Sequence, residues 1–474
     1  MRRRRLAPPK FRRWNARPRL PDDREFLHKH PRTHHEAPTV TDTQSATERP
    51  ARTERADVVV VGAGPGGSAT AAYLADHGVD VVLLEKSSFP RDKICGDGLT
   101  PRATKELISL GVDTTGWQRT KGLRIKGGGH TLQLDWPQTE TFPDYGMVRT
   151  RMQLDEELAR HAERRGALLV ERTSVTGPLR DSSGRVTGVS AKRLDDRGRP
   201  TGELVDYRAP VVIASDGVSS RLATAVGREK REDRVMAVAV RAYYTTPRRD
   251  DYLESHLELW TRGDDGNRIL MPGYGWIFPL EDGRTNVGLG TLDTTSAFQK
   301  TDFKDVMRRW VQDIDADWHF EHDDAAGPIR GAALPMGFNR QPLYADGMLL
   351  VGDSGGMVNP FNGEGIDYAL EAARVGAELV AQALARGDDA QRERVLSRYP
   401  SVMKDELGGY FTLGRWFAHA IGNPEVMRLA TRYGLPRTTL MRFLLKLMAN
   451  LPDHGGRAPS DRIINAMTRV APNA

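Results

Sequence analysis

The sequence predicts an α/β fold, and two observations lead to that prediction. A short apolar strand, Val58–Val61, is followed by a glycine-rich turn and then by a helical stretch that begins near Ser68. Strand–helix pieces return at 150–230 and 345–385, and between them residues 236–292 alternate in the strand period. This interleaving predicts a composite α/β domain with an inserted mixed β-sheet domain.

Changes in the sequence pattern along the chain divide it into four predicted parts. They are a disordered basic tail, a composite nucleotide domain, a substrate domain and a C-terminal helical region. Their predicted ranges are 1–55; 56–110 with 150–235 and 333–385; 111–149 with 236–332; and 386–474. A chain of 474 residues is long enough for two or three such cores.

The amino-acid composition indicates the cellular location and argues against membrane-spanning and metal-binding classes of protein. The single cysteine, Cys95, cannot form an internal disulfide, which favours a reducing, cytoplasmic location. No run approaches the ~18 apolar residues of a membrane-spanning helix, and no apolar segment of a signal peptide follows the first arginines. Histidine and cysteine show no metal-ligand spacing, so no metal site is predicted.

Charge is concentrated in the first residues. Residues 1–55 carry fifteen lysines and arginines against seven acidic residues, whereas the whole chain has a net charge of +6. The remainder is slightly acidic, so nucleic-acid binding is not expected. Two hypotheses for the tail stay open: attachment to anionic lipid, or a natural start near Val40 that would exclude residues 1–39 from the natural protein.

The first strand–turn–helix unit has the spacing of a dinucleotide site. Gly62 allows a tight turn, Gly64 lets the backbone approach a pyrophosphate, and Gly67 lets the helix pack closely on the strand. Glu85 ends the next strand, where a carboxylate accepts hydrogen bonds from ribose hydroxyls. The predicted contacts of this unit are Gly62, Gly64, Gly66, Gly67, Glu85 and Lys86.

Two later segments show the same logic. Asp216-Gly217 ends the strand 211–214, and Gly352-Asp353 ends the strand 348–351. Asp353 is placed to hold a flavin ribityl hydroxyl, and the glycine-rich segment after it begins a helix whose N–H groups favour the N1–O2 edge of a flavin. The predicted contacts here are Asp216, Gly217, Gly352, Asp353, Gly363, Gly365 and Ile366.

Two further motifs carry a family resemblance over about residues 56–385. The run Pro90-Arg-Asp-Lys-Ile-Cys95-Gly96-Asp-Gly98 resembles the Cys-Gly loop of geranylgeranyl reductases, and Tyr274-Gly-Trp276-Ile-Phe-Pro279 resembles their Tyr-x-Trp-x-Phe-Pro motif. These enzymes belong to the FAD-dependent monooxygenases and reductases with the glutathione-reductase-type FAD-binding fold. The expected architecture is that fold with an inserted mixed β-sheet substrate domain and C-terminal helices.

The resemblance implies non-covalent FAD and reduction of isoprenoid double bonds, with the prenyl side chain of menaquinone or a geranylgeranyl lipid as the favoured substrate. NAD(P)H or another electron carrier would be the reductant, because no second GxGxxG motif indicates a separate nicotinamide domain. The resemblance also places Cys95 and Gly96 beside the flavin ring and associates Arg151 with the pyrophosphate. For Arg151, a solvated surface position is the alternative.

The chemistry explains why aromatic residues are expected. An isolated alkene is not polarised, so it needs a proton before or together with a hydride, and water must be excluded from the resulting cationic character. Tyr274 and Trp276 lie two residues apart on a predicted strand and so share one face, where aromatic rings would stabilise positive charge. A packed aromatic pair is the alternative.

Cys95 has three candidate roles: it donates a proton, shapes the pocket or tunes the flavin. Inert burial is the alternative. The proton donor is not identified by sequence.

The C-terminal region is rich in Met, Leu, Phe and Trp, as in the stretches 410–417 and 440–448. One hypothesis is peripheral contact with a membrane, with Arg442 and Lys446 near head groups; the other is packing against the main body.

Other functions share the same flavin motifs. The first alternative is an FAD-dependent monooxygenase, a hydroxylase or epoxidase of an apolar or aromatic substrate, and a flavin-dependent halogenase is less favoured. A non-catalytic flavin-binding or lipid-carrier protein is a further alternative.

Overall fold

The computed structural model describes residues 51–262, 266–294, 298–321 and 327–474. Most of the predicted tail lies outside these residues. Its predicted end at residue 55 is wrong, because Arg52–Arg55 form a strand, β1, that pairs in parallel with a later strand, Pro200–Arg208.

A six-stranded sheet forms the centre of the nucleotide-binding part. In sequence order its strands are β2 (Val58–Val61), β3 (Val81–Leu84), β9 (Leu168–Val170), β13 (Val211–Ala214), β21 (Tyr344–Ala345) and β22 (Met348–Leu350). The spatial order is β21-β22-β13-β2-β3-β9, and all pairs are parallel except β21–β22. The ends of β2, β3, β13 and β22 therefore lie along one edge.

Alternate residues of these strands pack on opposite layers. In β2, Val58 and Val60 pack with the helices α1 (Pro65–Asp76), α3 (Arg151–Arg164) and α6 (Ile366–Leu384). Val59 and Val61 face the other way, against a four-stranded sheet. That sheet contains β1, β10 (Thr173–Arg180), β11 (Val186–Leu194) and β12 (Pro200–Arg208). Burial on both faces explains why the central strands are continuously apolar.

A seven-stranded mixed sheet forms the second part. Its strands are β6 (Gly122–Gly127), β7 (His130–Asp135), β14 (Met236–Thr245), β15 (Tyr252–His256), β18 (Gly273–Pro279), β19 (Arg284–Leu292) and β20 (Arg330–Pro335). The order is β20-β14-β19-β18-β15-β6-β7. One face packs on the helix α5 (Phe303–Trp318). The predicted α/β class with a mixed sheet is confirmed, whereas the domain boundaries after residue 55 stay predictions.

Shorter elements complete the described part of the chain. The remaining strands are β4 (Gly98–Leu99), β5 (Gln118–Thr120), β8 (Gly146–Val148), β16 (Leu259–Arg262) and β17 (Arg268–Met271), and the helices before the C-terminal region are α2 (Pro101–Ser109) and α4 (Arg221–Ala225). The C-terminal helices are α7 (Asp389–Leu396), α8 (Tyr399–Ile421), α9 (Pro424–Leu429), α10 (Thr438–Met448) and α11 (Pro459–Val470).

Much of the apolar surface of the C-terminal helices is core. Tyr410 and Phe411 are fully buried, and so is most of the inward face of α10. Lys446 is also buried and forms an ion pair of 2.5 Å with Asp461, so its expected position near lipid head groups is wrong. No described helix has both the length and the apolar character needed to cross a membrane.

Candidate active site

The turn between β2 and α1 has the close contacts that only glycine permits. Gly62 has φ +97°, and a Cβ there would lie 2.4 Å from the carbonyl oxygen of Ser215. A Cβ at Gly67 would lie 1.8 Å from the carbonyl oxygen of Gly62, which fixes the close approach of helix and strand. Gly64 precedes α1 and stays partly exposed, while Gly66 is buried. The N-terminus of α1 is thus open to an anion at Gly64.

Glu85 lies at the same turn, directly after β3. Its carboxylate accepts hydrogen bonds from the backbone N–H groups of Ala63, at 3.1 Å, and Ser87, at 3.0 Å. The Arg91 guanidinium is 3.1 Å from the same carboxylate oxygen that Ala63 contacts. The neighbouring Lys86 is exposed to solvent. Glu85 therefore stands beside the glycine turn, where the sequence predicts a ribose contact.

Arg151 is a buried residue at the start of α3, which argues against a solvated surface position. Its Nε and Nη2 atoms donate to the two carboxylate oxygens of Asp155 at 2.7 and 2.8 Å, and Arg91 adds a third bond to Asp155 at 2.8 Å. Burial opposes the charge of Arg151, but the ion pair with Asp155 outweighs it and raises the pKa of the guanidinium. A Cβ at Gly64 would lie 3.9 Å from Arg151 Nη2, so the cation is adjacent to the glycine turn.

The ends of β13 and β22 add two acidic residues to this edge. Asp216 accepts a 2.6 Å hydrogen bond from the Ser220 hydroxyl. Next to it, a Cβ at Gly217 would lie 3.1 Å from the ammonium nitrogen of Lys93. Burial lowers the pKa of Lys93, and the carboxylate of Asp353 acts in the opposite direction. Lys93 therefore lies between the two strand ends.

The segment after β22 turns back toward the N-terminus of α6. Gly352 and Gly363 have positive φ angles of +69° and +81°. A Cβ at Gly365, which precedes α6, would lie 3.5 Å from a carboxylate oxygen of Asp353. Ile366 is the first residue of α6. The predicted flavin contacts after β22 thus lie together at one helix N-terminus.

A buried carboxylate, Asp97, holds the Cys95 loop against the seven-stranded sheet. One of its oxygens accepts from the Tyr243 hydroxyl at 2.6 Å and from the Asn286 amide at 2.7 Å. The same amide nitrogen donates to the Cys95 carbonyl at 2.8 Å, while the Asn286 side-chain oxygen accepts from Trp276 Nε1 at 2.9 Å. Cys95 and Trp276 are thus joined through one asparagine.

The Cys95 thiol faces the nucleotide edge. Burial raises the pKa of the thiol, while the nearby Arg151 guanidinium acts in the opposite direction. The backbone N–H of Arg151 also donates to Asp97 at 3.0 Å. The loop is therefore fixed to the start of α3 on one side and to the mixed sheet on the other. Cys95 keeps partial exposure and is neutral at ordinary pH.

Tyr274 and Trp276 share one face of β18, as predicted, with ring centroids 6.2 Å apart. Trp276 is buried: a Cβ at Gly96 would lie 3.3 Å from its ring nitrogen, and a Cβ at Gly288 would lie 2.3 Å from its ring. Tyr274 is only partly buried, and its hydroxyl donates to the Asn362 carbonyl at 2.6 Å. Tyr274 thus connects the mixed sheet to the segment before α6, whereas Trp276 packs under the Cys95 loop.

A cavity of about 170 Å³ lies beside the same loop. The side chains that line it include Asp92, Thr150, Met152, Arg241, Tyr243, Arg284 and Arg330. Arg241 is buried and bonded to Asp92 at 2.6 Å. The arginines make this space unlike the apolar tunnel expected for an isoprenoid chain, so the position of that tunnel stays a prediction.

Several residues at the site were not found by sequence reasoning. They are Arg91, Lys93, Asp97, Asp155, Tyr243 and Asn286. Arg91, Lys93 and Asp97 stand inside the quoted Cys-Gly run, and Asp155 is four residues after Arg151, a spacing that places both on one helix face. Tyr243 and Asn286 carry no local signal, because they reach Asp97 from two separate strands.

The geometry of this edge fits FAD. The glycine turn, the N-terminus of α1 and Arg151 lie together where a pyrophosphate could bind, and Glu85 and Asp353 belong to the same edge of the sheet. In the described part of the chain, no group of three or more histidine, cysteine, aspartate or glutamate residues could hold a metal ion.

Known proteins resemble this chain at several levels. Residues 55–399 match the FAD binding domain family. A menaquinone reductase of Mycobacterium tuberculosis is 38% identical over 403 residues, which cover 84% of this chain and 92% of that protein. A digeranylgeranylglycerophospholipid reductase of Methanocella arvoryzae is 29% identical over 361 residues, which cover 74% and 83%.

Solved structures confirm the fold. A geranylgeranyl bacteriochlorophyll reductase-like protein from Thermoplasma acidophilum has a TM-score of 0.69 at 20% identity, and the match covers 88% of this chain and 100% of that one. A flavin-dependent brominase has a TM-score of 0.64 at 19% identity. Together with the family match, these similarities confirm the predicted FAD-binding fold and FAD as the cofactor.

Proposed function

This chain belongs to the family of FAD-dependent oxidoreductases that includes the mycobacterial menaquinone reductases, and on that premise we propose that it reduces carbon–carbon double bonds in isoprenoid chains. The observation that carries the proposal is the 38% identity to the menaquinone reductase, which extends over nearly the whole folded chain. The geometry supports it, because Cys95 and Tyr274 lie with the nucleotide-binding edge rather than apart from it.

The cofactor would be held along the carboxyl edge of the six-stranded sheet. Arg151 and the N–H groups of α1 would bind the pyrophosphate, Glu85 the adenosine ribose and Asp353 the ribityl chain. When bound and reduced, FAD supplies a hydride. The chain's own task is to orient the flavin, exclude water and supply a proton.

Tyr274 is proposed to lie at the reacting end of this site. Its ring stays partly exposed beside Cys95, and its hydroxyl is held by the Asn362 carbonyl. An aromatic face in that position would stabilise cationic character on a substrate alkene by about 2 kcal/mol when desolvated. Trp276 would support the loop that carries Cys95, because its ring is covered by Gly96 and Gly288.

We propose the prenyl side chain of menaquinone as the substrate within this class. Support comes from the names of the relatives at 36–38% identity. Archaeal lipid reductases at 29% identity support a geranylgeranyl lipid as the second candidate.

Deleting the gene and measuring the masses of the cellular quinones tests this choice. The deletion is expected to leave the side chain more unsaturated by two hydrogens for each bond normally reduced. Complementation with the intact gene should restore the original mass. Unchanged quinones together with less saturated prenyl lipids would favour the second candidate.

The electron donor is proposed to be NAD(P)H or another electron carrier.

The location is proposed to be the cytoplasm, with peripheral attachment to the inner face of the cell membrane. Exposed apolar and basic residues of the C-terminal helices support the attachment. The apolar ones are Trp416, Leu429, Tyr433 and Leu440, and the basic ones are Arg428, Arg432, Arg437 and Arg442.

A further inference from the structure

Two carboxyl groups at the N-terminus of α6 have no role in the binding of FAD described above. Asp367 is 1% exposed, and both of its side-chain oxygens lack a hydrogen-bond partner among the described residues. Glu364 stands three residues earlier, and its Oε2 atom is likewise buried and unpartnered within the described ranges. A buried acceptor without a donor costs about 1–3 kcal/mol, and more when it is charged.

Nearby charges do not compensate these two groups. Arg102, on α2, is the cation that faces them, but its guanidinium donates to Glu371 at 2.6 Å and to the Asn450 carbonyl at 3.1 Å. If Glu364 and Asp367 were both ionised, they would add two negative charges to a pair that is already neutral. Burial in low dielectric makes that state unfavourable, so at least one of the two carboxyl groups keeps its proton near neutral pH.

The pKa values of Glu364 and Asp367 shift in the direction that this excess of negative charge predicts. Burial raises the pKa of Glu364 well above its ordinary value, and the neighbouring Asp367 raises it further. Burial also raises the pKa of Asp367 to about 7 despite the opposing effect of Arg102. A carboxyl group that holds a proton near neutral pH is well matched to general acid catalysis.

Glu364 also has the right position. It lies between Asn362, which accepts from Tyr274, and Gly365, whose Cβ position is 3.5 Å from Asp353. Besides Asp367 and Arg102, the titratable groups that face it are three hydroxyls. They are those of Tyr274, Tyr368 and Tyr410; burial raises the pKa of each, so each is a weaker acid than a carboxyl group.

We propose that Glu364 donates the proton to the substrate double bond and that Asp367, directly behind it, resupplies that proton. This inference rests on the proposed function. In the step, the π bond breaks while one alkene carbon takes the proton of the Glu364 carboxyl and the other takes a hydride from reduced FAD. The alkene is reduced and the flavin oxidised. The Glu364 carboxylate then recovers a proton from Asp367, which takes one from water.

Glu364→Gln tests the donor, with Glu378→Gln as the matched control because Glu378 is an exposed glutamate of α6, the helix that follows Glu364. Both variants are expected to bind FAD and melt like the wild type. With FAD reduced in the absence of air, reduction of the prenyl side chain of an unsaturated menaquinone should slow about 100-fold or more in Glu364→Gln, as measured by its mass after the quinone ring has been reoxidised. It should be unchanged in Glu378→Gln.

A second readout does not depend on turnover. Infrared spectra of the FAD-free protein at neutral pH should show a protonated carboxyl band that is lost in Glu364→Gln and kept in Glu378→Gln. Asp367→Asn should slow repeated turnover, because the proton of Glu364 is then no longer resupplied. It should also move the pH dependence of repeated turnover, which a purely structural role would not do.

The outcomes separate the two claims. Wild-type protein that binds FAD but reduces no polyprenyl substrate would overturn the proposed function. An active wild type together with a Glu364→Gln variant that reacts within threefold of it, or that retains every carboxyl band, would overturn the role of Glu364 alone.

Discussion

Gly288 leaves room on the mixed sheet for one indole ring. A Cβ at this position would lie 2.3 Å from the Trp276 ring and 2.5 Å from the Val240 carbonyl oxygen, and neither the ring nor the backbone has space to move freely. Gly288→Ala is therefore expected to destabilise the protein by about 1–3 kcal/mol. The displacement of Trp276 should also weaken the support of the Cys95 loop.

Thermal melting and tryptophan fluorescence measure this effect. Gly177→Ala is the matched control, because Gly177 also lies in a strand but a Cβ there meets nothing within 4 Å. The control should melt at or slightly above the wild-type temperature. Equal melting temperatures for the two variants would show that the indole is not confined as described.

Asp367 predicts a specific dependence of stability on pH. Its folded-state pKa of about 7 lies above the ordinary value of 3.8, so between these values the folded protein binds more protons than the unfolded chain. The free energy of unfolding contributed by this group therefore falls as pH rises from about 4 to 7 and is level beyond that.

Comparing denaturant unfolding of the wild type and Asp367→Asn across this pH range isolates the contribution. The variant should gain stability relative to the wild type as pH rises. A constant difference between the two proteins would contradict a raised pKa at Asp367.

At the scale of elements, α3 links the cofactor site to the Cys95 loop. Arg151→Gln removes a buried cation beside the glycine turn and is expected to weaken FAD binding about 10–100-fold, the equivalent of one charge-assisted hydrogen bond. Arg164→Gln, at an exposed position of the same helix, is the control and should bind FAD as the wild type does. Fluorescence titration of the FAD-free protein measures both, and equal affinities would place Arg151 outside the site.

The exposed residues of the segment from α9 to α10 lead us to predict that it attaches to anionic membranes. Leu429 and Tyr433 are more than half exposed, and exposed arginines flank them. Leu429→Asp with Tyr433→Asp should reduce co-sedimentation with vesicles that contain phosphatidylglycerol, and high salt should weaken wild-type binding. Ile108→Asp is the control, because Ile108 is half exposed on α2. Equal binding by all variants would reject this surface.

Sequence predicts the elements of this fold better than the connections between them. The glycine turn and the acidic residue after β3 predict the first strand–turn–helix unit, because they lie close together in the sequence. The hydrogen bonds that join Asp97 to Tyr243 and Asn286 were not predictable, because they bring together three segments that are far apart in the chain. The same reason hides the burial of Lys446, since its partner Asp461 belongs to the next helix.

At the scale of the whole molecule, two sheets meet at one site. The six-stranded sheet supplies the nucleotide-binding edge, and the mixed sheet supplies Tyr274, Trp276 and Asn286. The Cys95 loop is held by both, through Arg151 on one side and Asn286 on the other. In the proposed function, this arrangement would bring a flavin, an aromatic ring and a protonated carboxyl group around one reacting bond.

Anaerobic reaction of the FAD-reduced protein with an unsaturated menaquinone, followed by mass spectrometry, tests this account most directly. The account predicts that the flavin is oxidised in proportion to a product whose prenyl side chain, measured after the quinone ring has been reoxidised, is two hydrogens heavier and contains no added oxygen. A flavin that stays reduced until air is admitted, with a product that then gains an oxygen atom, would contradict it and favour a monooxygenase.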